Sequence, residues 1–201
     1  MGATKHIQKT FQKEFKGSKD ESYDYKAILK ERMIGFRKEK LSVVRIEKPT
    51  NIARARKLGY KAKKGIVVAR IRIRKGSGMH PRPRSGRRPK RMGTVKRTRK
   101  ISIKSIAERR VSTKFPSLEV LNSYYVGMDG QNKYYEVILV NPHAPEIKSD
   151  KDLNWICENT QKGRTSRGMT SAGKKGRGLR KKGKGAEKVR PSQRANKRRT
   201  K

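Results

Sequence analysis

The 201 residues hold 57 Lys and Arg against 16 Asp and Glu, a formal charge of +41, and only 31% of them are hydrophobic. A compact body of that charge repels itself, so the composition calls for a polyanionic partner, nucleic acid first. It offers neither the roughly 20 consecutive apolar residues of a membrane span nor the Leu-rich or aromatic face of an interfacial helix.

No secretory signal core is visible, and His6 stands where a myristoylation signal has Ser or Thr. A soluble intracellular protein is expected. Cys157 is the single cysteine, so no internal disulfide forms, and it reads as a small core residue beside Trp155 and Ile156. His6, His80 and His143 are scattered, with no metal-ligand spacing. No metal or other cofactor is expected.

The charge lies in blocks. Residues 1–47 carry 12 basic and 7 acidic side chains, and residues 48–107 carry 22 basic and none acidic. Residues 108–160 carry 6 basic and 8 acidic, and residues 161–201 carry 17 basic and 1 acidic. A near-neutral stretch therefore lies between two strongly basic ones. The predicted organisation is an α+β body over 1–160, with an internal basic arm at about 75–100, followed by a basic Gly-rich extension over 161–201.

The first block reads as helical. Tyr25, Ile28, Leu29, Met33 and Phe36 recur at three- and four-residue spacing, and Ser18 with Glu21 fits a capping box. Leu41 to Glu47 predicts a short strand. Asn51 then caps a brief helix from Ile52 to Leu58, closed by Gly59 and dotted with Arg54, Arg56 and Lys57. From Gly65 to Arg74 the chain alternates. Val67, Ala69, Ile71 and Ile73 fall on one face of a strand, and Arg70, Arg72 and Arg74 on the other. With no acid within the run, the arginine face is expected to meet nucleic acid.

From Lys75 to Lys100 glycines and prolines break any regular element, and little apolar surface is available to offset the ordering entropy. The segment is either a disordered loop or an arm that orders on its partner; its length favours the arm. Lys75, Arg82, Arg84, Arg87 and Arg88 are its first candidate phosphate contacts, followed by Lys90, Arg91, Lys96, Arg97 and Arg99.

The near-neutral stretch supplies the rest of the body. Ser105 with Glu108 fits a capping box for a helix along Ile103, Ile106, Ala107, Val111 and Phe115, ended by Pro116. Leu118–Val126 and Tyr134–Val140 read as strands of a hairpin turning at Asp129-Gly130. Asp150 to Glu158 is a short helix or turn. The tail from Gln161 is low in apolar residues and should be flexible alone. Its candidate phosphate contacts are Arg164, Arg167, Lys174, Lys175, Arg177 and Arg180.

Catalytic patterns are weak. Gly168 to Lys174 fits the start of a P-loop, but Lys175 stands where Ser or Thr would ligate magnesium, and no apolar strand precedes it. The carboxylates do not pair convincingly; Asp150 and Asp152 are explained by helix capping. No nucleophile–base arrangement stands out. What remains is nucleic-acid binding, mostly through phosphates and sugars. Composition alone does not separate RNA from DNA, so a DNA-compacting, chromatin-type protein stays open. Long Gly/Pro-interrupted arms suit an irregular folded RNA better than a regular duplex.

Four stretches, in order, carry a resemblance. They are Leu58-Gly-Tyr-Lys-Ala-Lys-Lys-Gly65 with its Ile-Arg-Ile-Arg strand, Leu121-Asn-Ser-Tyr-Tyr-Val-Gly127, Tyr135-Glu-Val-Ile-Leu139, and Arg167-Gly-Met-Thr-Ser-Ala-Gly-Lys174. Together they resemble the archaeal and eukaryotic large-subunit ribosomal proteins numbered fifteen of the "e" series. The resemblance implies a non-enzymatic, structural constituent of the cytoplasmic ribosome, supporting assembly and translation. Its implied fold is a small mixed or antiparallel sheet packed with helices, plus long basic extended arms. Its implied partners are large-subunit rRNA and neighbouring ribosomal proteins, with no membrane and no small-molecule substrate. The positions it implies as rRNA-facing are Tyr60, Lys61, Lys63, Lys64, the strand arginines, Arg167, Lys174 and Lys175.

Overall fold

The computed structural model describes residues 2–20, 22–78, 81–94, 97–180 and 189. In chain order the elements are α1 (Ala3–Lys16), β1 (Lys19–Asp20), β2 (Tyr23–Asp24), α2 (Tyr25–Lys38), β3 (Val43–Ile46) and α3 (Ile52–Lys57). They continue with β4 (Ile66–Arg74), α4 (Ile103–Lys114), β5 (Glu119–Met128), β6 (Asn132–Val140), α5 (Pro145–Lys148) and α6 (Ser171–Gly176). The main sheet is antiparallel throughout, in the order β3-β4-β6-β5, which makes the architecture α+β.

β6 explains why the sheet is covered on both sides. Tyr134 to Val140 is buried at every position, so alternate residues serve opposite faces. Tyr134, Ile138 and Val140 pack with Met33 and Phe36 of α2, Ala55 of α3, and Ile147, Leu153 and Ile156. Tyr135, Val137 and Leu139 pack on the other side with Ile71 and Ile73 of β4 and Ala107 and Val111 of α4. The isoleucine face of β4 thus belongs to the core under α4. Its arginine face lies on the α2 side, where Arg70 and Arg72 reach the C-terminal end of that helix.

Two expected helix starts move. The cap of α2 is Asp24, whose carboxylate accepts from the amides of Lys26 and Ala27 at 3.0 and 3.1 Å. Ser18 instead closes α1, its amide bonding the carbonyl of Lys13, and Glu21 lies outside the described residues. α4 starts at Ser102, whose hydroxyl accepts from the amide of Ser105. Ser105 is therefore inside the helix, and Glu108 is buried for another purpose. α1 presents Ile7, Phe11 and Phe15 at four-residue spacing, an apolar stripe that the reading of the first block did not single out. It is held through Glu14, which accepts two hydrogen bonds from Arg32 of α2, at 2.5 and 3.3 Å.

The hairpin forms at the expected place, with β5 running to Met128 and β6 starting at Asn132. The side chain of Asp129 accepts from the amides of Gln131 and Asn132 and from the Tyr134 hydroxyl. β5 is bulged between Val120 and Asn122 and again between Tyr125 and Gly127, which bends this edge strand. The expected helix or turn after Asp150 is a 3-10 turn at Asn154–Cys157.

The first part of the tail is folded. Arg164, Thr165, Thr170 and Ala172 are buried, so the segment just after Gln161 packs against the body. Gly173 marks how closely this segment packs on itself: a Cβ there would lie 2.6 Å from the Cα of Gly168. Among the described residues no helix is long and apolar enough to cross a membrane.

Candidate nucleic-acid interface

Three buried carboxylates pin the basic segments to the body. Glu136, fully buried at the centre of β6, accepts from the Tyr124 hydroxyl, the Thr50 hydroxyl and, at 3.0 Å, the Thr50 amide. Burial, and then the nearby carboxylate, push the Tyr124 hydroxyl far above its ordinary pKa. This network fastens the Thr50-Asn51 corner to the sheet. Asn51 then caps α3 through the amide of Arg54 at 2.9 Å. Ala53 and Ala55 are buried, while Arg54, Arg56 and Lys57 project outward. Small residues on the inner side let α3 lie close to the core and turn its charged side out. Lys57 also donates to the Gln8 side chain of α1.

Asp150 is the second anchor, and it corrects the view that capping alone explains this residue. Lys61 reaches its two oxygens at 2.7 and 2.9 Å and Asp152 at 2.7 Å, while Lys63 reaches Asp150 at 2.7 Å. These lysines hold the Asp150 carboxyl well below the usual carboxylate range, and the same bonds raise the pKa of Lys61. Asp150 also accepts from the Asp152 amide. Tyr60 packs half-buried on the core. Of this loop's expected contacts, only Lys64 stands exposed without an ion pair among the described residues.

Glu108 is the third. Its two oxygens accept from the hydroxyls of Ser123 in β5 and Thr170 in the tail, both at 2.5 Å. Arg109 adds a bond to the carbonyl of Ser166.

The arginine face of β4 is largely occupied by the fold. Arg70 pairs with Glu39, and its guanidinium lies 3.9 Å from the centroid of Phe36. Arg72 donates to the carbonyls of Arg37 and Glu39 at 3.4 and 3.2 Å, a favourable place for a cation at the end of α2. The acid that was missing within the basic run comes from outside it. Arg74 is exposed and Lys75 half-buried.

Arg164 is likewise structural rather than presented. It is 6% exposed, stacks over Trp155 at 4.6 Å, and donates to the carbonyl of Val120 at 2.8 Å and of Leu121 at 3.4 Å. A buried cation thereby caps two carbonyls at the bulge of the edge strand. Arg167 donates to the carbonyls of Thr160 and Lys162, and Arg177 to that of Arg167. No strand precedes the Gly168–Lys174 turn, which discards the P-loop geometry.

The arm is different. Arg99 donates to the carbonyls of Gly76 and Arg74 at 2.6 and 2.8 Å, clasping the base of the arm shut. Beyond that clasp Arg82, Arg84, Arg87, Arg88, Lys90, Arg91 and Arg97 are exposed, and none is in an ion pair among the described residues. A short 3-10 turn at Pro89–Arg91 helps shape an open hollow of about 390 Å³ lined by Gly86, Arg87, Arg88 and Arg91. Lys96 lies outside the described residues. Lys174, Lys175 and Arg180 are exposed at the end of the folded tail.

Sequence reasoning passed over Lys104, half-buried in the first turn of α4. Arg54, Lys175 and Arg180 all act electrostatically on it. The only available signal was its place in the acid-free run. Among the described residues no group of three or more His, Cys, Asp or Glu side chains could hold a metal ion.

The division between cations used by the fold and cations presented to a partner fits a structural nucleic-acid-binding protein, and the comparison with known families supplies its class. The model of the family described as ribosomal L15, the L15e type, matches residues 3–196, and the chain belongs to this family of structural, non-enzymatic proteins of the large ribosomal subunit.

Proposed function

We propose that the chain binds large-subunit rRNA and cross-bridges separate segments of it, so that the body is the anchor and the basic arm the bridge. The observation that carries this reading is the exposed basic array beyond the Arg99 clasp, Arg82, Arg84, Arg87, Arg88, Lys90, Arg91 and Arg97, in which no ion pair forms among the described residues. Paired cations on the body hold the fold, whereas exposed ones release counterions when they meet phosphates. Arginine adds a planar fork for phosphate and a face for base stacking. Arg54, Arg56, Lys64 and Arg74 extend the surface over the body, and Lys174, Lys175 and Arg180 extend it at the end of the folded tail. Neighbouring ribosomal proteins complete the surroundings, and the place of action is the cytoplasmic ribosome. Neither a membrane nor a small-molecule substrate enters this reading.

Sedimentation of cell extract with and without ribonuclease tests it. The expected result is co-migration with the large subunit, lost when RNA is digested. Migration as a free monomer would overturn the proposal. Preferential partitioning to duplex DNA over folded rRNA at physiological salt would turn it into DNA compaction.

A further inference from the structure

The arm leaves the main sheet at one end, and a pocket of different character opens at the other. Arg74, where the arm departs from β4, pairs with Asn132 beside the β5–β6 turn. Glu119, at the start of β5, pairs with Val140 at the end of β6. The two ends lie roughly 25 Å apart along the strands, at about 3.4 Å per residue. The pocket, about 230 Å³, lies between the start of β5, the loop after β6 and the turn at Asn154–Cys157. Pro116, Pro142 and Ile156 give it apolar walls, and Glu119 and Glu158 give it carboxylates.

Those carboxylates lack a counter-charge. Glu119 is only 9% exposed. Its Oε1 accepts from the Gly163 amide at 2.8 Å, while its Oε2 is buried with no hydrogen-bond partner among the described residues. Such a group costs free energy until a donor or a cation meets it. Glu158 is exposed and accepts from the Thr160 hydroxyl at 3.0 Å. Among the described residues neither carboxylate forms an ion pair. Arg164 acts on Glu119 electrostatically, but its guanidinium is directed to the carbonyls of Val120 and Leu121 and to the Trp155 ring. Lys162 lines the pocket and points to neither carboxylate within ion-pair distance. His143 and Cys157 complete the lining, yet no three of these side chains are placed to hold a metal ion.

The volume is below the roughly 300–1,000 Å³ of sites for drug-sized ligands and suits one long side chain. Two carboxylates repel a phosphate. Residues 108–160, which supply most of the lining, carry 6 basic and 8 acidic groups in a chain of +41. Apolar walls leading to carboxylates match lysine, whose methylene stem packs on apolar surface while its ammonium reaches a polar end.

We propose that this pocket takes a lysine side chain from a neighbouring protein of the large subunit, with the stem against Pro116 and Pro142 and the ammonium beside Glu119 and Glu158. The docked ammonium supplies the counter-charge that Glu119 lacks. Two basic proteins that would otherwise repel each other gain a complementary contact. The sheet then separates two tasks, with RNA met at the arm end and protein at the pocket end. This inference rests on the ribosomal reading and gives its protein partner a site.

Cross-linking of intact large subunits with a carbodiimide tests the pocket, because the reagent joins a carboxylate directly to an amine in contact with it. Peptide mass spectrometry should find Glu158 or Glu119 joined to a lysine of another subunit protein. A link to Lys162 alone, or none at either carboxylate, overturns the proposal. Cys157, the only cysteine of the chain, reports from the same pocket. Its alkylation by iodoacetamide should be about tenfold slower in the subunit than in the free chain, since reaction needs an accessible thiol. Equal rates overturn the proposal. Slow alkylation without a lysine cross-link, together with an ultraviolet cross-link of this peptide to RNA, assigns the pocket to RNA and overturns it too.

Charge reversal separates the pocket from the arm. Glu158→Lys, at an exposed position, should fold normally and bind folded rRNA without loss. In subunits carrying it, Cys157 should react within about threefold of the free-chain rate. Protection unchanged in that variant overturns the pocket. Co-migration of the native chain with large subunits in which Cys157 reacts freely overturns the pocket and leaves the rRNA reading standing. Failure to co-migrate at all overturns both.

Discussion

Arg70 lies over the ring of Phe36, 3.9 Å from its centroid, while pairing with Glu39 at the end of the same helix. One guanidinium thus joins β4 to α2 by stacking and by charge. Arg70→Gln should lower stability by roughly 2 kcal/mol, the combined scale of a cation–π contact and a half-buried ion pair. RNA affinity per folded molecule should stay unchanged. Urea unfolding and RNA titration of the same variant check this, and the reverse pattern would return Arg70 to the RNA surface.

Arg164 should be still less replaceable. Its guanidinium satisfies two carbonyls at the β5 bulge and stacks on Trp155, a planar geometry that the lysine ammonium does not reproduce. Both Arg164→Lys and Arg164→Met should destabilise the fold, the latter by about 2–4 kcal/mol. Uncapping this edge strand should also promote association. Thermal unfolding and light scattering measure the two effects. A Met variant as stable and monomeric as the parent would contradict the capping role.

Acid should weaken the protein partly through Asp150. A carboxyl held low in the folded state stabilises it above the unfolded value of about 3.9, and that contribution is lost as pH falls through the lower folded value. Asp150→Asn should therefore be less stable than the parent at pH 6, and the two should converge in strong acid. Parallel stability curves from pH 6 to pH 2 would remove Asp150 from the acid limb.

Salt should distinguish arm from body. Neutralising Arg87, Arg88 and Arg91 should reduce the slope of log K against log salt by up to about 0.7 per lost phosphate contact on single-stranded RNA. Lys61→Gln, whose parent side chain is committed to Asp150 and Asp152, should leave the slope unchanged. Equal changes in the two variants would mean that ion pairing within the body does not decide which cations meet RNA.

Trypsin reports the same division. In free protein it should cut within residues 82–97 well before Arg164, because cleavage needs an accessible, locally open backbone. Binding to rRNA should slow the cuts in the arm. Early cleavage at Arg164 would show that the tail segment does not stay docked.

Much of the framework is legible locally. Alternation marks β4, the Asp129-Gly130 turn joins β5 to β6, and Asn51 and Gly59 bracket α3. Those signals work because they depend on backbone conformation within a few residues. The starts of α2 and α4 are less legible. Ser18 and Ser105 each offered a plausible cap, and the choice between caps depends on which turn the neighbouring elements leave open.

By itself the sequence determined that the chain is a polycation with a small apolar body, and that residues 75–100 have too little apolar surface to pack like a core. Those facts follow from composition and from near neighbours. Only the tertiary structure decided which cations are already spent. Lys61 and Lys63 meet Asp150 about ninety positions away, Arg70 meets Glu39 from the preceding block, and Arg164 is drawn under Trp155 against the edge of β5. Charge counts do not record distance, and an ion pair exists only where the fold brings its two ends together.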